Sequence, residues 1–168
     1  MTMQYSVIYS SCTGNTARLA QTIREALPPE ELIYFGPPCP EAPAAKTVFL
    51  GFWTDKGTCD ARTAAFLPQL RDSRVFQFGT AGFGQEPAYF EKILSRVQAR
   101  LDGSCTVLGT FMCQGRMPGS VRERYEKLKA SPAAPPQIDM LLANFDAALS
   151  HPDEQDLKNL RTRIEKAV

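Results

Sequence analysis

The stretch Tyr5-Ser6-Val7-Ile8-Tyr9-Ser10-Ser11-Cys12-Thr13-Gly14-Asn15-Thr16 changes character halfway along, and that change decides the fold. Its first five residues, β-branched and aromatic with one serine, have the composition of a short strand. Beyond it Leu19, Ala20, Ile23, Ala26 and Leu27 recur at the spacing of one helix face. The hydroxyl-rich segment therefore turns a strand into a helix. A turn of that kind aims unpaired backbone N–H groups and the positive end of the helix dipole at one spot beyond the strand. Ser10, Ser11, Thr13 and Thr16 add hydroxyls, and Gly14 permits a left-handed backbone, so the segment reads as a cradle for a phosphate. It holds no Lys or Arg, and the Gly-x-x-x-x-Gly-Lys-Ser/Thr pattern of a triphosphate loop is absent. The expectation is one terminal phosphate held by neutral donors. The plainer alternative is a ligand-free turn with Asn15 or Thr16 as helix N-cap.

Outward from this turn the chain alternates. Pro28-Pro29 stops the first helix and Glu31–Phe35 reads as a second strand, followed by a Pro- and Ala-rich crossover to residue 45. Thr47–Phe52 is a near-continuous apolar run, the mark of a parallel strand covered on both faces. It leads into a long polar loop, Trp53-Thr54-Asp55-Lys56-Gly57-Thr58-Cys59-Asp60, with the only Trp. A helix bearing Phe66, Leu67 and Leu70 precedes the strand Arg74–Gly79 and the loop Thr80-Ala81-Gly82-Phe83-Gly84-Gln85-Glu86. A further helix with Phe90, Ile93, Leu94 and Val97 leads to the strand Thr106–Phe111, which ends in Met112-Cys113-Gln114-Gly115-Arg116. Helical patterns around Val121, Tyr125 and Leu128, around Ile138 to Leu149, and around Leu157, Leu160 and Ile164 complete the chain.

Strands alternating with helices imply an α/β fold with right-handed crossovers, and five strands suit the doubly wound parallel order 2-1-3-4-5. In that order the loops after strands one, three and four meet at the switch point, where open sheets bind ligands. The expected organisation is one domain over 1–168, with an α/β core to residue 130 and a linker with extra C-terminal helices over 131–168.

Lys plus Arg exceed Asp plus Glu by one, so no global field recruits nucleic acid or an anionic membrane, and any charged docking face must be local. No apolar run nears the roughly 18 residues that span a bilayer, and the chain opens on a strand rather than a leader, which leads to a cytoplasmic expectation. Five cysteines without a Cys-x-x-Cys pair, and a single His, suggest neither a disulfide framework nor a zinc site.

Ser11-Cys12-Thr13-Gly14-Asn15-Thr16 resembles the phosphate loop of flavodoxins, a Ser/Thr-x-Thr-Gly-x-Thr pattern at the same place after the first strand. The resemblance implies the flavodoxin-like three-layer fold and FMN, with its phosphate in this loop and its ring between the loops after strands three and four. It extends the candidate cofactor residues to Ser10 and Phe52 through Thr58, with Trp53 packing on the ring, and to Gly79, Thr80, Ala81, Gly82, Phe83 and Gly84. It implies a monomeric electron carrier without catalytic residues of its own, placed between an electron-donating reductase and an electron-accepting enzyme. It also implies a peptide near Gly57 that turns over on reduction. The usual Asp and stacking Tyr of the second flavodoxin loop are replaced here by Thr80, Phe83 and Gln85. The blocks Gly51–Thr58, Phe78–Gly84 and Met112–Gly115 are also similar to a flavodoxin-like subgroup encoded beside bilirubin reductase, which would make that enzyme a partner.

A rival rests on the same turn. Cys12 through Arg18 satisfies Cys-x-x-x-x-x-Arg and resembles the catalytic loop of low-molecular-weight protein tyrosine phosphatases, where the thiolate attacks phosphorus and the Arg clamps the oxygens. The chain has no Asp-Pro to supply the acid and carries Leu19 where that family places Ser. Direct oxidation of NAD(P)H by a flavodoxin-like enzyme is a further alternative.

Overall fold

The computed structural model describes residues 3–42, 45–84 and 86–168. Part of the Pro/Ala crossover and Gln85 lie outside the described residues. Five parallel strands carry the sheet: β1 (Tyr5–Tyr9), β2 (Leu32–Gly36), β3 (Thr47–Asp55), β5 (Arg74–Ala81) and β6 (Thr106–Gln114). A two-residue strand, β4 (Thr58–Cys59), pairs antiparallel with the end of β3. The order is β2-β1-β3-β5-β6, which, counting the parallel strands alone, is the expected 2-1-3-4-5. The α/β reading holds.

Each face of the sheet has its own apolar layer. On one side Tyr5, Val7, Phe49, Phe76 and Phe78 meet Leu19 and Ile23 of α1 (Asn15–Ala26) and Leu157, Leu160 and Ile164 of α6 (Glu154–Ala167). On the other, Ile8, Val48, Leu50, Phe52 and Val75 meet Phe66 of α2 (Ala61–Phe66) and Ile93, Leu94 and Val97 of α3 (Pro87–Gln98). Thr47–Phe52 of β3 reads as near-continuously apolar because both its faces are covered. At the centre β3 and β5 interlock. Gly51 lies opposite Phe78, and Phe52 lies opposite Gly79, so each ring closes over its neighbour's glycine on opposite faces of the sheet. A Cβ built on Gly51 would stand 2.3 Å from Phe78 Cζ, and one on Gly79 would stand 2.6 Å from Phe52 Cζ.

The last three helices do not form one appendage. α6 belongs to the layer with α1, so no break in packing coincides with residue 130. Its N-terminus is a capping box: the Asp153 carboxylate accepts from the Asp156 N–H, while the Asp156 carboxylate accepts from the Asp153 N–H. The Asp156 N–H holds the Asp153 carboxyl below its ordinary pKa. α4 (Gly119–Lys129) and α5 (Ile138–Ala148), by contrast, pack on each other around Tyr125, Ile138 and Phe145. Arg122 braces this pair through Asp146, with contacts of 3.0 and 3.1 Å. No helix among the described residues is long and apolar enough to cross a membrane.

Candidate functional site

Three loops converge beyond the carboxyl ends of β1, β3 and β5 around a cavity of about 350 Å³. The first supplies Ser11, Cys12, Thr13, Asn15 and Thr16, the second Trp53, Thr54, Lys56 and Gly57, and the third Thr80, Ala81, Gly82 and Phe83. Other candidates stand behind this wall. Ser10 is buried, and its N–H donates to Gly51 O at 3.0 Å. Phe52 and Gly79 are the sheet pair described above, Asp55 and Thr58 pair across the β3–β4 ladder, and Gly84 packs beneath Phe90.

The helix start differs from both N-cap expectations. Gly14 is the N-cap with φ 94°, a left-handed conformation, and Asn15 is already helical. The cradle geometry is nevertheless there. Ser11 Oγ accepts from the Gly14 and Ala17 N–H groups, each at 3.2 Å, so one oxygen sits where the free donors of the α1 N-terminus converge. A ligand oxygen fits the same convergence. Asn15 does not cap; its side-chain amide donates to Arg116 O at 2.8 Å and to Thr13 Oγ1 at 3.1 Å, which fastens the loop after β6 to the first loop.

Thr16 is an internal tie rather than an open donor. Its hydroxyl lies 3.2 Å from Phe52 O and 3.0 Å from Thr80 Oγ1, fully buried. A carbonyl only accepts, so Thr16 donates to Phe52 and Thr80 donates to Thr16. One chain of two bonds thereby ties the first turn of α1 to the ends of β3 and β5. Beside it Thr54 Oγ1, also on the cavity wall, is buried with no hydrogen-bond partner among the described residues. An orphaned donor costs about 1–3 kcal/mol, which a polar ligand atom would offset.

The expected long polar loop after β3 is instead a hairpin. β3 runs on through Trp53 and Thr54 to Asp55 and reverses through Lys56 and Gly57, with φ 51° and 80°. Positive φ at both central residues is the signature of a type I′ turn, which matches the twist of the paired strands. Arg96 of α3 donates to Gly57 O at 2.8 Å. Turning over the central Lys56–Gly57 peptide would convert type I′ to II′ and put Lys56 where glycine is strongly favoured. The movable peptide that the flavodoxin resemblance implies therefore has a steric obstacle here. Gly57→Ala is expected to cost about 1–2 kcal/mol in urea titrations, because φ is positive and the new Cβ would stand 2.6 Å from Arg96 Nη1. Gly57→Asn should cost less, since Asn tolerates that backbone. Equal unfolding midpoints for wild type and Gly57→Ala would show that the turn is not so constrained.

Tyr89, Gly115, Arg116, Met117 and Pro118 complete the lining, and sequence reasoning did not select them. Tyr89 sits in the first turn of α3, directly after the Gly-rich loop, and that position was a usable signal. The Arg116 and Met117 positions follow only from where the loop between β6 and α4 runs. Arg116 is exposed, with its N–H bonded to His151 O at 3.0 Å.

The phosphatase arrangement lacks its clamp. Arg18 donates to Pro152 O and approaches Glu154 Oε1 at 3.4 Å, toward the start of α6, and does not line the cavity that Cys12 faces. Burial pushes the thiols of Cys59 and Cys113 up, the latter strongly, which keeps both protonated and unreactive.

Among similar structures, a short-chain flavodoxin associated with a bacterial microcompartment superposes with a TM-score of 0.57 at 12% identity, covering 98% of this chain and 96% of its own. A Lactobacillus acidophilus flavoprotein solved in complex with FMN gives 0.50 at 14% identity over 66% of this chain and 93% of its own. These likenesses concern the fold. In sequence, the flavodoxin-like domain-containing protein BilS of Clostridium symbiosum is 35% identical over 92% of this chain and 90% of its own length. Residues 6–165 match the flavodoxin domain, and with the strand order and the cradle after β1 this settles the kinship: the chain belongs to the flavodoxin domain family.

Proposed function

We propose that this chain binds FMN in the three-loop cavity and carries electrons from a reductase to a redox enzyme. The observation that carries the proposal is the lining of the cavity, which joins the hydroxyl-rich start of α1 (Ser11, Thr13) to the half-buried Trp53. The residues fit the group. The Ser11 and Thr13 hydroxyls would hold the phosphate at the start of α1, joined by the Gly14 and Ala17 N–H groups where the phosphate displaces the Ser11 hydroxyl from them; the Thr54 hydroxyl, without a partner among the described residues, offers a further donor, and Trp53 offers an aromatic face to the ring. When bound, FMN supplies reversible one- and two-electron chemistry; the protein binds it, orients it and shields it from water. The 35% identity to a BilS protein supports a partner of the kind that the narrower resemblance implies, a bilirubin reductase.

The purified protein should be yellow, or become so on adding FMN, with flavin fluorescence quenched on binding. Trp53→Ala should raise the FMN dissociation constant about tenfold, since an aromatic stacking contact is worth about 0.5–1.5 kcal/mol and 1.4 kcal/mol is tenfold. A protein that neither carries nor quenches FMN would sink the proposal. Bleaching of the bound flavin by NADPH alone would move it to a direct NAD(P)H oxidoreductase.

A further inference from the structure

The cavity that the cofactor reading concerns is lined by two cations, Lys56 and Arg116, and by no carboxylate. Neither cation enters an ion pair among the described residues, whereas Arg18, Arg122 and Lys129 all do. The positive surface extends outward along α3. Lys92 and Arg96 stand four residues apart on α3 and Arg100 follows just past its end; all three are exposed and, among the described residues, without a salt bridge, so they extend that surface. It is continuous with the Lys56 turn, because Arg96 binds Gly57 O and α3 packs against β4. Carboxylates lie nearby too: Asp55 is half-buried at the end of β3, Glu91 is on α3, and the exposed Glu86 before α3 lines the second cavity described next.

Beside the cavity lies an apolar patch. A second cavity of about 400 Å³ shares Phe83 and Tyr89 with the first and continues to Met140 and Leu141 of α5. Phe83 is 41% and Met140 66% exposed, two of the few large apolar side chains that face solvent among the described residues. An apolar centre flanked by charge is the composition of a transient docking face, and here the cations outnumber the carboxylates.

We infer that this face docks an acidic surface of a redox protein, with Phe83 and Met140 at the centre of contact and the Lys56–α3 cations steering the approach. The inference rests on the cofactor reading above. It adds the sign of the partner, which the nearly neutral whole chain conceals. Charges of opposite sign across such a face raise association rates by about 10- to 1,000-fold at low salt, and the gain vanishes as salt screens it.

Two oxidised one-electron acceptors of opposite charge serve as probes: plastocyanin, which is acidic, and cytochrome c, which is basic. The FMN-loaded protein is reduced with dithionite, freed of excess reductant and mixed with each; two acceptors are consumed per fully reduced cofactor, one electron each. The rate with plastocyanin should fall about tenfold between roughly 10 and 200 mM salt, while the rate with cytochrome c should stay level or rise. Lys92→Glu, outside the cavity, should slow plastocyanin about threefold at low salt, leaving the flavin spectrum unchanged. Cytochrome c rates that fall with salt, or plastocyanin rates indifferent to it, would overturn the inference while leaving the cofactor reading intact. A protein that binds no flavin fails at the first spectrum and takes both readings with it.

Discussion

Gly51→Ala is expected to destabilise the fold by about 3 kcal/mol, the upper part of the range for an overpacked core. The added methyl would meet Phe78 Cζ at 2.3 Å, Phe78 Cε2 at 2.4 Å and Tyr9 Cβ at 2.9 Å. The ring of Phe78 is fully buried in the layer with Phe49 and Phe76 and has no space to swing into, and Tyr9 Cβ is fixed by its own strand. The strands must therefore separate or the ring must leave its rotamer. A melting temperature lowered by roughly 6–12 °C would follow, since 1 kcal/mol corresponds to about 2–4 °C in a domain of this size. Gly119→Ala is the control, because nothing lies within 4 Å of a Cβ built there. Equal melting temperatures for the two variants would show that the β3–β5 interlock tolerates what the geometry forbids.

Leu160→Ala is expected to cost about 2–5 kcal/mol, the usual range for emptying a buried leucine site. Leu160 is fully buried between α6 and the sheet, together with Leu157 and Ile164. The experiment asks whether the C-terminal helix is a wall of the core. Leu141→Ala is the comparison: Leu141 only flanks the small α4–α5 cluster and should cost less. Urea titrations in which Leu160→Ala and Leu141→Ala lose the same small stability would make α6 peripheral.

Several elements were legible in the sequence because their physics is local. The β1 run, the amphipathic α1 and the apolar β3 announce themselves through period and composition, and the sheet order then follows from crossover rules. The extension of β3 into a hairpin was not legible in that way, since Trp53-Thr54-Asp55 lies half-buried at the sheet's end and lacks an apolar alternation. Its one local sign was Lys56-Gly57, a pair able to take positive φ. The role of α6 was hidden for a different reason. Leu157, Leu160 and Ile164 declare a helix face but not which surface it covers, and that depends on where the crossover lands. The cavity was half legible. Its first loop carries a contiguous motif, whereas Tyr89, Arg116 and Met117 reach the same space from separate elements.

The carbonyl of Gly82 accepts two side-chain amides, one from Gln114 of β6 and one from Asn144 of α5, each at 3.0 Å, and Gln114 also donates to Asn144 Oδ1 at 3.0 Å. Seen as an energy landscape, this triangle makes the third loop hostage to a neighbouring unit. The α4–α5 pair has a small apolar cluster of its own, so it is the part expected to open below the global unfolding free energy. When it opens, the Gly82 loop loses half its anchorage and the cavity gains an exit. Amide hydrogen exchange should then release α4, α5 and the Gly82 loop together, well before α1 and α6; synchronous exchange with α6 would place the whole chain in one cooperative unit. Cofactor retention would on this view be a property of two helices that do not line the first cavity.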